Sequence, residues 1–93
     1  MKPYKVCWTE PAIITLDAIL DYFRALDEDV ASDLASRLYD AALSLGTLPN
    51  RGRPVAGGAR ELLTVRPYAI RYDVIGERVD ILRIRDLRQL PED

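Results

Sequence analysis

Histidine is absent from these 93 residues, and cysteine occurs once, as Cys7. A single thiol cannot close an intramolecular disulfide, and without histidine it cannot build an ordinary zinc site, so a stapled or metal-built fold is excluded. No metal or cofactor is expected. Long apolar runs are missing too: none exceeds three residues, far short of the roughly 20 that a membrane-spanning helix needs. The start, Met1-Lys2-Pro3-Tyr4-Lys5, lacks the apolar stretch of a signal peptide, so a cytoplasmic protein with no membrane partner is expected. The want of histidine also removes the side chain best suited to move protons near neutral pH. Lysine is scarce, with Lys2 and Lys5 set against eleven arginines.

What is present describes one small globular domain spanning residues 1–93, 48% hydrophobic and 30% charged. A chain of this size buries roughly 60–65% of its unfolded surface, enough for one core. The net charge of -2 hides an asymmetry. Residues 1–46 carry four basic and eight acidic side chains, whereas residues 47–93 carry nine arginines against seven acids. Genome composition can favour arginine over lysine, but it does not place nine of eleven arginines in one half. Arginine suits bidentate contacts to carboxylate or phosphate.

Tyr4 to Trp8 reads as a first strand. Thr9 follows as a helix N-cap, with Glu10 and Pro11 in the first turn. Ile13, Leu16, Ile19, Leu20, Phe23 and Leu26 then recur at helical spacing. Asp27-Glu28-Asp29 interrupts the pattern and starts a second stripe of Val30, Leu34, Leu38, Ala41 and Leu45, ended by Gly46 and Pro49. So short a link predicts a helical hairpin. The glycine- and proline-punctuated stretch 46–59 reads as a long loop, and loops of that length are mobile or functional. Three strands follow, over 60–65, 68–75 and 79–86, with Gly76-Glu77 as a glycine-first two-residue turn of type II′.

That turn sets a register in which Ile75 opposes Arg78. One face then carries Val74/Val79, Tyr72/Ile81, Ile70/Arg83 and Tyr68/Arg85. Its apolar end is expected on the helices, and its far end, with Tyr68, Arg83 and Arg85, is expected to open onto a cleft or solvent. The other face sets Asp73 against Asp80, which is costly unless Arg71 and Arg78 intervene. The fold class is therefore α+β: a helical hairpin on a mainly antiparallel four-stranded sheet, in the order β-α-α-β-β-β.

That order resembles the RelE/ParE superfamily of toxins from type II toxin–antitoxin systems. The resemblance spans nearly the whole chain. It is carried by Val6-Cys7-Trp8-Thr9-Glu10-Pro11-Ala12, the loop from Leu48-Pro49 to Arg53-Pro54, Arg60-Glu61-Leu62, Tyr68 to Val74, and Val79 to Ile84. The ParE branch looks nearest. The resemblance implies a growth-arresting toxin linked to plasmid stabilisation, with DNA gyrase inhibited by binding rather than by chemistry. It also implies a ParD-like antitoxin that wraps the toxin, and operator DNA engaged only through that antitoxin.

The alternative branch, of RelE type, comprises ribosome-dependent mRNA endonucleases, with ribosome and mRNA as partners. Such a reaction needs a base, an acid and cations around the scissile phosphate. Here the candidates are Arg71, Arg83 and Arg85, with Glu61 or Asp86 as a weak base. In that branch an arginine typically sits where Ala69 stands, and a histidine or tyrosine follows the last strand. This chain has Arg85-Asp86-Leu87-Arg88 there, and both departures count against a nuclease. ParE proteins often carry Leu-His in place of Arg85-Asp86, so that match also departs. A third alternative is a toxin half that has lost toxicity and serves only an autoregulating complex.

Target-binding candidates are Arg51, Arg53, Arg60, Tyr68, Arg71, Arg83 and Arg85. Each has a plainer alternative. Arg83 and Arg85 can pair with Asp86 or Asp73 at a sheet end, Arg60 and Glu61 can pair across strands, and Tyr68 and Tyr72 can be core or cleft-wall residues. Cys7 and Trp8 read as core. Antitoxin-binding candidates are the apolar residues off the core stripes, Tyr22, Tyr39, Leu43 and Leu48, which amphipathic segments of a partner could cover.

Overall fold

The computed structural model describes residues 2–89. It contains β1 (Lys5–Trp8), α1 (Glu10–Leu26), α2 (Glu28–Ser44), β2 (Arg53–Pro54), β3 (Arg60–Val65), β4 (Tyr68–Ile75) and β5 (Arg78–Asp86). The sheet order is β1-β5-β4-β3-β2, with β1 parallel to β5 and every other pairing antiparallel. The sheet thus has five strands rather than the four expected. The addition is the two-residue β2, inside the stretch read as loop. It sits at the sheet edge, where Pro54 leaves no backbone donor for further pairing.

Local chemistry sets the helix ends. Thr9 caps α1, its hydroxyl accepting from the Ala12 N–H and donating to the carbonyl of Ile81 at 2.7 Å. Asp27 serves both helices: its N–H donates to the Phe23 carbonyl, and its carboxylate accepts from the Asp29 N–H at 2.9 Å. One residue therefore ends α1 and begins α2, which forces the hairpin.

The core lies between this hairpin and one face of the sheet. Leu16, Leu20, Leu38 and Leu45 meet Leu62, Ile70, Tyr72, Val79, Ile81 and Ile84. Each such side chain contributes about 1.5–3 kcal/mol on full burial, against roughly 1 kcal/mol for a cap, so the core carries the fold. The stripes differ from expectation at their flanks. Ile13, Leu26 and Val30 are exposed, while Ala12 and Ala31 take buried positions. Small side chains stand where the layers press closest, and larger neighbours turn outward. Cys7 is half-buried, and the residues beside it, Val6 and Trp8, are the ones packed on the core. Strand alternation puts Cys7 on the other face, correcting its expected place in the core.

The hairpin turn is as expected: Gly76 takes φ 60° while Glu77 does not share a positive φ, which is the type II′ pattern. The register holds from Ile75↔Arg78 to Tyr72↔Ile81 and then shifts, pairing Arg71 with Arg83, Ile70 with Ile84, Ala69 with Arg85 and Tyr68 with Asp86. A bulge at Leu82 adds one residue to β5. The expected pairs Ile70/Arg83 and Tyr68/Arg85 are thereby overturned. The physical reason is burial: the slip sends Ile84 into the core and keeps Arg83 and Arg85 out of it. The Arg66–Pro67 peptide is cis.

Candidate functional site

With the bulge in place, the sheet face turned away from the helices gathers several arginines around the buried carboxylate of Glu61, with Asp73 and Asp80 nearer the hairpin turn. Glu61 on β3 stands opposite Arg53 on β2 and Arg71 on β4, and Arg71 in turn stands opposite Arg83 on β5. Arg85 lies one step along, opposite Ala69, whose small side chain is wholly buried. Arg85 hydrogen-bonds the Glu61 Oε2. Arg71 donates to the same oxygen from Nε at 3.0 Å and pairs with it from Nη2 at 2.9 Å. Arg53 Nη2 stands 3.6 Å from the other oxygen, Oε1, beyond hydrogen-bonding distance.

Glu61 is only 1% exposed. Burial alone would push its carboxyl up, but hydrogen bonding and charge from Arg85, then from Arg71, outweigh that and hold it below the usual carboxylate range. It is therefore a fixed anion at neutral pH and a poor proton acceptor. Glu61 with Arg53, Arg71, Arg83 and Arg85 leaves an excess of positive charge on this face. The cover over the carboxylate is made by the arginines themselves, whose stems pack while their heads stay polar.

Near the far end of β5, a cavity of about 210 Å³ opens between this strand and α1, lined by Thr15, Ala18, Ile19, Arg83, Arg85 and Asp86 among others. It arises because β1 pairs only with residues 78–81 of β5. Beyond that point α1 covers the strand edge, and Thr15 Oγ1 accepts the Ile84 N–H at 2.9 Å. Arg83 and Arg85 border it, but Tyr68 does not, so the cleft expected to hold all three together is not formed.

Tyr68 lies beneath that end rather than on the surface, 3% exposed. Arg88 extends over its ring at 5.8 Å and clamps Asp86 through two bonds of 2.8 and 3.0 Å. Hydrogen bonding from Arg88 holds the Asp86 carboxyl below its usual range. Asp86 is thus paired with Arg88. Arg78 forks onto Asp80 at 2.8 and 3.1 Å, which relieves the Asp73/Asp80 pair. Arg71, expected to share that task, is committed to Glu61 instead.

The loop arginines are held from below. Arg60 donates to the Gly52 carbonyl at 2.7 Å, and Arg51 donates to Ser44 Oγ at 2.8 Å. Tyr72, in the core, reaches the same loop through its hydroxyl. Sequence reasoning placed Arg53, Arg71 and Arg85 among the candidates but missed that Glu61 would be their common centre. The signal available was the single acid on β3 between arginine-bearing strands.

The four antitoxin-binding candidates, Tyr22, Tyr39, Leu43 and Leu48, are all exposed, in different surroundings. Tyr22 meets Phe23 edge to face and borders the groove beside Tyr68 and Arg88. Tyr39 leans on Trp8, with ring centroids 5.2 Å apart, and Leu48 lines a hollow with Pro49 and Arg51. Leu43 lies in the last turns of α2. No helix is long and apolar enough to cross a membrane among the described residues.

The chain is thus a two-layer α+β domain with a helical hairpin on one sheet face and an arginine cluster on the other. Comparison with known proteins makes the assignment. Residues 6–91 match the family model for the ParE toxin of type II toxin–antitoxin systems, parDE. The chain is 43% identical over 86 residues to "Toxin RelE2" of Caulobacter vibrioides, covering 92% of this chain and 98% of that protein. Among solved structures it is similar to a chain of the chromosomal ParDE system from P. aeruginosa, at TM-score 0.80 and 28% identity, covering 90% of this chain and 96% of that one. A chain of the toxin–antitoxin complex RelBE2 from Mycobacterium tuberculosis shares the fold, at TM-score 0.62 and 22% identity over 90% of this chain and 98% of that one. The chain belongs to the ParE toxin family, within the RelE/ParE superfamily of type II toxin–antitoxin toxins.

Proposed function

We propose that this toxin arrests growth by binding DNA gyrase through its arginine-bearing sheet face, without chemistry of its own, and that a ParD-like antitoxin neutralises it. The observation that carries the reading is the state of Glu61. The acid nearest the arginines is buried, held ionised by Arg85 and Arg71, and so poorly suited to remove a hydroxyl proton. Asp86, the other acid considered, is engaged by Arg88 and likewise held below its usual range. With no histidine in the chain, the arginines remain as a recognition surface rather than a set of proton movers. Arg51, Arg53, Arg60, Arg71, Arg83 and Arg85 are the contacts assigned to the target, while Tyr68, buried beneath Arg88, is left to the core. Operator DNA is reached only through the antitoxin.

A second reading, the ribosome-dependent mRNA endonuclease, has one observation in its favour. Arg71, Arg83 and Arg85 lie together on two adjacent strands, as cations around a scissile phosphate would. The test separates the two. Purified toxin is added to a gyrase supercoiling reaction and, separately, to translating ribosomes. Stalled cleavage complexes with intact mRNA are expected; codon-positioned mRNA cuts with unaffected gyrase would overturn the proposal. Replacing Arg83 and Arg85 together by alanine should abolish growth arrest and leave antitoxin binding nearly intact. Undiminished growth arrest in that variant would remove the arginine face from the mechanism, whichever target is correct.

A further inference from the structure

Beside the β2–β3 pairing, a phenolic oxygen fastens the arginine-bearing segment ahead of β3 to the sheet. Tyr72 is wholly buried, and its Oη accepts the Gly52 N–H at 2.8 Å and donates to the Pro49 carbonyl at 2.8 Å. Both bonds are needed for a hydroxyl so deep in the core, since a buried polar group without partners is costly. The fit is equally close from the loop side. A Cβ on Gly52 would stand 2.7 Å from the Tyr72 ring and hydroxyl, and 2.8 Å from the Glu61 carbonyl. Arg60 grips the same peptide from another direction, through the Gly52 carbonyl at 2.7 Å. Gly52 is buried, yet Arg51 and Arg53 on either side of it are exposed. Arg53 then reaches to within 3.6 Å of Glu61, which joins the segment to the arginine cluster of the sheet.

We propose that Tyr72 is a positioning residue for toxin action. Its hydroxyl holds Arg51 and Arg53 as a preformed basic arm that extends the arginine face, so that no ordering cost is left for the encounter with the target. The inference rests on the arginine-face reading above, though not on which target that face engages.

Tyr72→Phe keeps the ring in the core and removes only the oxygen. Three quantities are compared with the parent chain: the rate of tryptic cleavage at Arg51–Gly52, the rate at Arg37–Leu38 within α2 as a report on the whole fold, and growth arrest at matched soluble toxin levels. Cleavage should rise on the order of tenfold, as expected for losing a buried hydrogen-bond anchor. Growth-arrest potency should fall by a similar factor while cleavage at Arg37–Leu38, within α2, stays at the parental rate. A purely structural role would raise cleavage at both sites together. Unchanged cleavage overturns the anchor, and faster cleavage with full growth arrest overturns its link to action. Should the phenylalanine variant not fold, Gly52→Ala disturbs the same contact from the loop side and must show the same pattern; parental cleavage and toxicity there would sink the proposal. Failure of the arginine-face reading is visible separately, as undiminished growth arrest after loss of Arg83 and Arg85, while the tryptic rate still reports on Tyr72.

Discussion

On the helix side of β4, Tyr68, Ile70 and Tyr72 lie in one cluster with Leu16, Leu38 and Ile81. On the opposite side, Ala69 and Arg71 lie beside Glu61 and Arg85. Both faces of the same strand are largely shielded from water, and by different physics. The first face gains from apolar area, which is additive and tolerant of direction. The second encloses a carboxylate, and its stability depends on particular hydrogen bonds being present. A face of the first kind is good for folding and poor for recognition. The second kind holds guanidinium groups in fixed directions near the surface, which a binding site requires.

Four substitutions test that contrast, beginning with the largest effect. Leu38→Ala removes a wholly buried side chain and should lower unfolding stability by about 3–4 kcal/mol in denaturant titration. A loss under about 1 kcal/mol would mean that the hairpin does not press on the sheet as described. Glu61→Gln should cost about 2–3 kcal/mol at neutral pH, less than a fully enclosed pair because the arginines keep partial access to water. The sign of its pH dependence follows from the lowered carboxyl. The ionised form is favoured in the folded chain, so the stabilisation is complete above the ordinary value of about 4.3 and fades as pH falls through the lower folded value. Parent and variant should therefore differ equally from pH 7 down to about 5 and converge only in stronger acid. A gap that widens on acidification would contradict the assignment.

Ala69→Val tests whether the charged face is packed as tightly as the apolar one. Added methyls opposite Arg85 should cost about 1–2 kcal/mol and weaken the Arg85–Glu61 contact. Asp80→Asn, at the exposed Arg78 fork, should leave the unfolding midpoint where it is, since surface ion pairs contribute little. A clear loss there, matching that of Glu61→Gln, would erase the distinction between a buried charge cluster and an ordinary surface pair.

Much of the domain was legible from spacing and capping. Thr9 and Asp27 begin their helices as their side-chain chemistry requires, and Gly76 makes the turn that only glycine allows at its first position. Strands β3, β4 and β5 fall within one residue of the alternation pattern. The candidate site was only half legible. Arg53, Arg71 and Arg85 stood out as an arginine excess, but their meeting at Glu61 depends on strand neighbours that are distant in sequence. The same holds for the stretch 46–59, where β2 and the Tyr72 hydroxyl tie down what composition presents as a loop.

The sequence by itself determined the helical hairpin, the hairpin turn, the absence of histidine chemistry and the collection of arginines in the second half. Each follows from local spacing or composition. Only the tertiary structure decided that Arg83 and Arg85 share the face of Arg71. A single bulge at Leu82 does so, because one added residue reverses every later side chain on β5. The competition behind that slip, Ile84 or Arg83 for a place in the core, is settled by the depth of the neighbouring layer. No window of sequence contains that layer, and it exists only once α1 and α2 have packed.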